Sequence, residues 1–166
     1  MSVDALSIEI RSQRLGDALK VLPIHTLDEI SLGVSRAAKE VARRMRKNAP
    51  KAFSTLAQSI KDTTEGPLAK SVSPHVAYAE YVEQGSDSGG RPPIDALTDW
   101  IKVKGITPLD PNMDEEDLAF VMQDSIAFNG VLGQPYAAPT AMQMRPRVEQ
   151  ILDDSLSRAM AKAGLQ

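Results

Sequence analysis

The sequence predicts an α+β fold: a small antiparallel sheet with packed helices, a long helix in the N-terminal half and another at the C-terminus. Three observations lead there. Leu27, Ile30, Val34, Ala37, Ala38, Val41 and Met45 recur at steps of three and four, the spacing of one helix face. Between Ser54 and Val76 the composition shifts to Thr, Ser, Val and Ile around the breaker Glu65-Gly66-Pro67, as two strands joined by a turn would read. From Pro93 onward, helical spacing returns in three further segments. The order helix, strands, helices is that of a sheet with its helices on one face.

Along the chain, Asp4 to Leu22 carries two patterns. Leu6, Ile8 and Ile10 alternate as in a strand, whereas Leu15, Ala18, Leu19 and Leu22 have helical spacing, and Gly16 weakens both. Thr26-Leu27-Asp28-Glu29 has capping-box spacing and predicts a helix start, with the helix running from Leu27 to Lys47. Arg43, Arg44, Arg46 and Lys47 fill its last turn, where the dipole favours cations, and Asn48 and Pro50 end it. The strands are predicted at Ile60 to Thr64 and Leu68 to Ser73, and Ala77 to Gln84 reads as a helical turn or a strand.

Pro93 to Lys104 sets Ile94, Leu97, Trp100 and Ile101 on one helical face, with proline in the first turn and Gly105 as the stop. After the loop Thr107 to Asn112, the segment Met113 to Asn129 opens on Asp114-Glu115-Glu116-Asp117, where acids meet the positive end of the dipole. Leu118, Val121, Met122, Ser125 and Ile126 follow along one side, and Gly130 closes the helix. Val131 to Pro139 reads as a loop or short strand. Thr140 to Ala163 is helical by composition, with Pro146 as either a kink or the first turn.

At 166 residues the chain fits one domain spanning residues 1–166, with a flexible loop at about 85–93 and a helical insertion at about 93–129. Aromatic residues are only 4%, so the core rests on Leu, Ile, Val, Ala and Met. The absence of cysteine rules out disulfides, thiolate metal sites and cysteine nucleophiles. The N-terminus has early charges and no apolar signal region, and no stretch approaches the ~20 apolar residues of a membrane span, so synthesis in the cytoplasm is expected. A net charge of −3 argues against a general nucleic-acid binder.

Searches for chemistry return structural readings. His25 and His75 are the only histidines, and neither has a second ligand at metal spacing. There is no Gly-x-Ser-x-Gly elbow and no Walker loop, and Gly85 to Gly90 runs into Arg91-Pro92-Pro93 rather than a helix, so it is not a phosphate cradle. Consecutive acids from Asp114 to Asp117 point in different directions on a helix and do not converge on one ion. Glu80 and Glu83 are a carboxylate pair if their segment is helical, but no nucleophile or metal signal accompanies them. No cofactor and no enzymatic activity are expected. The cations Arg36, Lys39, Arg43, Arg44, Arg46, Lys47 and Lys51 read as the solvated back of an amphipathic helix, or as a basic patch facing DNA or an acidic neighbour. A DNA-binding regulator using Arg36 to Lys51 is the reading of another class.

Four segments together resemble a known family. They are Asn48 to Ile60, Val76 to Ser86, Arg91 to Ile106, and Ala119 to Met142. Their sequence of motifs resembles the head-to-tail joining, neck, tail-completion or minor tail proteins of long-tailed bacteriophages. The matching positions are Ala49, Pro50, Leu56, Ser59 and Ile60; then Tyr78, Ala79, Tyr81, Val82, Glu83 and Gly85; then Trp100; then Pro135, Tyr136 and Pro139. Ser86 stands where the family usually has Thr, Gln84 where it has an aromatic, and Tyr136-Ala137-Ala138 where it has Phe-Leu.

The resemblance implies a non-enzymatic ring subunit of the virion, a hexamer or dodecamer at the head–tail joint, made and assembled in the host cytoplasm. It implies connector or head-completion proteins on one side and tail-tube or terminator proteins on the other. Genome DNA would pass through the lumen without sequence-specific binding, and no membrane is involved. A tail-terminator ring subunit is the alternative within the class. Tyr78, Tyr81, Glu83, Gly85, Arg91, Trp100 and Tyr136 are the expected interface residues, with Ser86 to Gly90 as an adaptable arm and Arg36, Lys39, Arg43, Arg44, Arg46 and Lys47 as a basic patch toward DNA or the next ring.

Overall fold

A computed structural model describes residues 7–10, 27–50 and 54–164. It is a mixed fold of helices and small antiparallel sheets, as the sequence predicts. The elements in chain order are β1 (Ile8–Ile10), α1 (Leu27–Asn48), α2 (Ser54–Ser59), β2 (Lys61–Gly66), β3 (Ala69–Ser73), α3 (Ala79–Gln84), β4 (Gly85–Ser86), α4 (Ile94–Lys104), α5 (Glu115–Asn129), β5 (Val131–Leu132) and α6 (Ala137–Lys162). The helical pattern from Leu15 to Leu22, the cap residue Thr26, His25 and Lys51 lie outside the described residues.

α1 is the spine. Its apolar stripe, from Ile30 through Met45, is buried along its whole length, as a period near 3.6 requires. The stripe packs against α6, and Gly33 sets how closely the two approach: a Cβ there would stand 2.2 Å from Ser155 Oγ. Ser155 avoids a stranded hydroxyl by donating to the Leu152 carbonyl at 2.9 Å. Around this crossing Ile30, Val34, Val41, Ile151, Leu152 and Ala159 form the main core, joined by Leu56, Ile60 and Val72. The flanks of the crossing carry charges: Glu29 receives Lys162 and Arg158, and Glu40 receives Arg147 at 3.1 Å. Glu29 therefore faces α6, and its expected capping partner Thr26 lies outside the described residues.

The hairpin β2–β3 turns at Pro67 and Leu68, one residue later than the Glu65-Gly66-Pro67 reading, because β2 runs on through an irregular step between Thr64 and Gly66. β1 pairs with the other edge of β3, Ile8 opposite Val72, and Val72 is buried against the core. α2 has no counterpart among the sequence expectations. Its six residues are too few to show a period, and it is held from outside by Arg46, whose Nε and Nη2 donate to the Ile60 carbonyl at 3.0 and 2.6 Å. α6 begins at Ala137, so Pro146 is interior to the helix rather than its first turn.

α4 and α5 make a hairpin with a second, smaller core of Leu97, Ile101 and Ala119, flanked by Trp100, Leu118 and Met122. α4 stops at Gly105 in the left-handed region (φ 62°), as the sequence predicts. α5 is capped by Asp114, whose carboxylate accepts from the Glu116 and Asp117 N–H groups while Asp117 accepts from the Asp114 N–H. The acidic run is thus a helix start. The inner side of α5 is Leu118, Ala119, Met122 and Ile126; Val121, expected there, points outward.

Candidate assembly surface

Glu83 is the best-determined polar side chain in the fold. It lies on α3 with only 7% of its surface exposed, and its carboxylate accepts three backbone N–H groups, from Tyr136 (2.7 Å), Ala137 (2.9 Å) and Ala138 (3.0 Å). An α-helix leaves its first four N–H groups without partners. In α6 Glu83 takes three of them, and the fourth position is Pro139, which has no N–H to satisfy. The negative charge also sits at the positive end of the α6 dipole. Thr140 continues the lock, donating to the Tyr136 carbonyl at 2.6 Å and accepting from Asn48 Nδ2 at 2.8 Å, which ties the end of α1 to the start of α6. Burial pushes the Tyr136 hydroxyl well above the usual phenol range, the neighbouring Glu83 charge adds to that, and the hydroxyl has no hydrogen-bond partner among the described residues.

Just beyond Glu83 the chain leaves for the α4–α5 hairpin, and it returns just before Tyr136. The outgoing and returning segments pair as β4 and β5, Gly85 opposite Leu132 and Ser86 opposite Val131. Glycine is required at this crossing. Gly85 and Gly130 have φ of 79° and 73° with extended ψ, a region closed to other residues, and a Cβ on Gly130 would stand 2.5 Å from the Ser86 carbonyl oxygen. The Gly89 N–H donates to the Ala127 carbonyl, Arg91 meets Asp124 at 2.8 Å, and Gln123 reaches the Pro92 carbonyl at 2.8 Å. Within residues 85–93, expected to be a flexible loop, Gly85 and Ser86 form with β5 a short two-stranded neck, and 87–93 is turn and loop tied to the end of α5 by these contacts. A cleft of about 530 Å³ runs along this neck, and among its lining residues Asp87 alone titrates, so it offers no acid–base pair.

The sequence-predicted interface residues divide accordingly. Tyr78, Glu83 and Tyr136 are buried within the chain and support its interior; Tyr81 and Trp100 are half-buried; Gly85 is committed to the neck; Arg91 is exposed and paired with Asp124. Glu80 is exposed while Glu83 faces α6, so the two do not form a working carboxylate pair. His75 is exposed, its backbone N–H resting on Ser59 Oγ. Of the basic patch, Arg46 is spent on Ile60 and Arg44 on Gln143, while Arg36, Lys39, Arg43 and Lys47 are exposed and make no ion pair with a described residue. On α5 the sequence reading missed the exposed apolar residues Phe120 and Phe128 and set Val121 on the inner side, because a helix apolar on two sides gives no clean period.

No histidine, aspartate and glutamate group that could hold a metal occurs among the described residues, and no helix among them is long and apolar enough to cross a membrane. Comparison with protein-family models, curated proteins and solved structures gave no match.

Proposed function

We propose that the chain is a structural ring subunit of the head-to-tail joint of a long-tailed bacteriophage, of the neck or tail-completion type, needed for tail attachment. One observation carries the reading. Two of the segments that resemble the family, Tyr78 to Gly85 and Pro135 to Pro139, lie some fifty residues apart in sequence, yet they meet as a single lock in which Glu83 caps the helix opened by Tyr136. Motifs that form one structural unit support a shared scaffold better than separate matches do. The segment between them, residues 93–129, is the part that leaves the scaffold through the neck.

On this reading the ring is a hexamer or dodecamer without cofactor or catalysis. Connector and tail proteins sit on its two faces, and genome DNA passes through without sequence recognition. The test is disruption of the gene in the genome that carries it. A neck role predicts filled heads and finished tails that do not join. Tails of unregulated length would favour the terminator role instead, and normal infectious particles would overturn both.

A further inference from the structure

Two exposed helix faces in this fold match each other position for position. On α1 the outward stripe opposite the core is Leu32, Arg36, Lys39 and Arg43, at steps of four, three and four. On α5 the outward stripe opposite Ala119, read from its C-terminal end, is Phe128, Asp124, Val121 and Asp117, at the same steps. Leu32 is 61%, Val121 54% and Phe128 83% exposed. Large apolar side chains set in a helix face between charges are costly to leave in water and mark contact surfaces.

We propose that the outer face of α5 in one copy seats antiparallel on the outer face of α1 in a second copy of this chain. The inference rests on the ring reading and names the surfaces that build the ring. Laid antiparallel, Leu32 meets Phe128, Arg36 meets Asp124, the aliphatic stem of Lys39 covers Val121, and Arg43 meets Asp117. Two of the three cations then face an acid, the apolar groups meet an apolar side chain or the Lys39 stem, and the two helix dipoles run in opposite directions. Charge complementarity selects a second copy: the α1 stripe offers cations without ion-pair partners among the described residues, and α5 offers two exposed acids, of which Asp117 uses one carboxylate oxygen in its own helix cap. Asp124 already holds Arg91, but both side chains are exposed, and a surface pair of that kind yields readily. The contact joins two different surfaces, so each copy keeps one of each unsatisfied until the series closes, which is the property of a ring subunit. The α4–α5 hairpin, carried on its neck, is the element that reaches the neighbour.

The purified full-length chain, Phe128→Ser, Arg36→Glu, Asp124→Arg and the double swap Arg36→Glu/Asp124→Arg are compared by native mass spectrometry and sedimentation over a micromolar concentration series. Far-ultraviolet circular dichroism confirms that each variant is folded. Phe128→Ser is expected to raise the dissociation midpoint roughly tenfold or more, as loss of an aromatic anchor does. Either single charge reversal weakens assembly, the swap restores it, and added salt weakens the parent in the same direction. If the parent assembles and all four variants assemble equally well, this pairing is wrong while the ring reading stands. A parent that remains monomeric throughout overturns both.

Discussion

At the scale of single residues, Glu83 and Tyr136 carry the most testable content. Glu83→Ala leaves three N–H groups at the start of α6 without their acceptor, two of them buried. The expected loss is about 2–3 kcal/mol, the range for hydrogen bonds to a charged group, and Glu83→Gln should lose less because one carbonyl oxygen remains. Urea denaturation of the two variants measures both. Tyr136→Phe works in the opposite direction. It removes a buried hydroxyl without a partner among the described residues and keeps the ring that fills the core, so stability should hold or rise by up to about 1 kcal/mol. A clear loss would mean that the hydroxyl has a partner. The role of Glu83 was not readable: Val131 to Pro139 reads as a loop or short strand, so the helix start at Ala137 that Glu83 caps appears only in the structure.

Among the elements, α1 was legible nearly to the residue because its stripe has one period, is apolar on one side only and ends in cations before Asn48. The β2–β3 hairpin and the stop of α4 at Gly105 were legible for similarly local reasons. What sequence did not convey is how elements meet. Gly33 looks like a weakness within a helix, yet it is the point of closest approach to α6. Gly33→Ala should cost about 1–3 kcal/mol by overpacking against Ser155, and Ser155→Gly added to it should recover part of that loss. Additive losses in this double-mutant cycle would contradict the contact. The pairing of Gly85 and Ser86 with β5 was not legible because Gly, Ser and Asp signal flexibility locally, while here glycine is present so that two backbones can cross. Gly130→Ala therefore should destabilise the junction, seen as accelerated amide exchange at Ser86 and Val131 with exchange in α1 unchanged.

For the whole molecule, the ion pairs across α1 and α6 and along the sheet tie stability to pH. Hydrogen bonds from Lys162 and Arg147 hold Glu29 and Glu40 below the ordinary value of 4.5, and one from Lys70 holds Asp62 below 3.8. These values are depressed in the folded chain, so the contribution is complete above the ordinary values and is lost as pH falls through the folded ones. The melting temperature should fall on acidification below about pH 4.5, and the double variant Glu29→Gln/Glu40→Gln should show a shallower acid decline than the parent. Other charges leave the molecule divided, with cations along the outside of α1 and acids along α5, and that division makes assembly the central claim. Native mass spectrometry of the purified chain, with electron microscopy of the same sample, tests it most directly. A closed hexamer or dodecamer is predicted; a monomer at every concentration, in low salt as in high, would contradict the account.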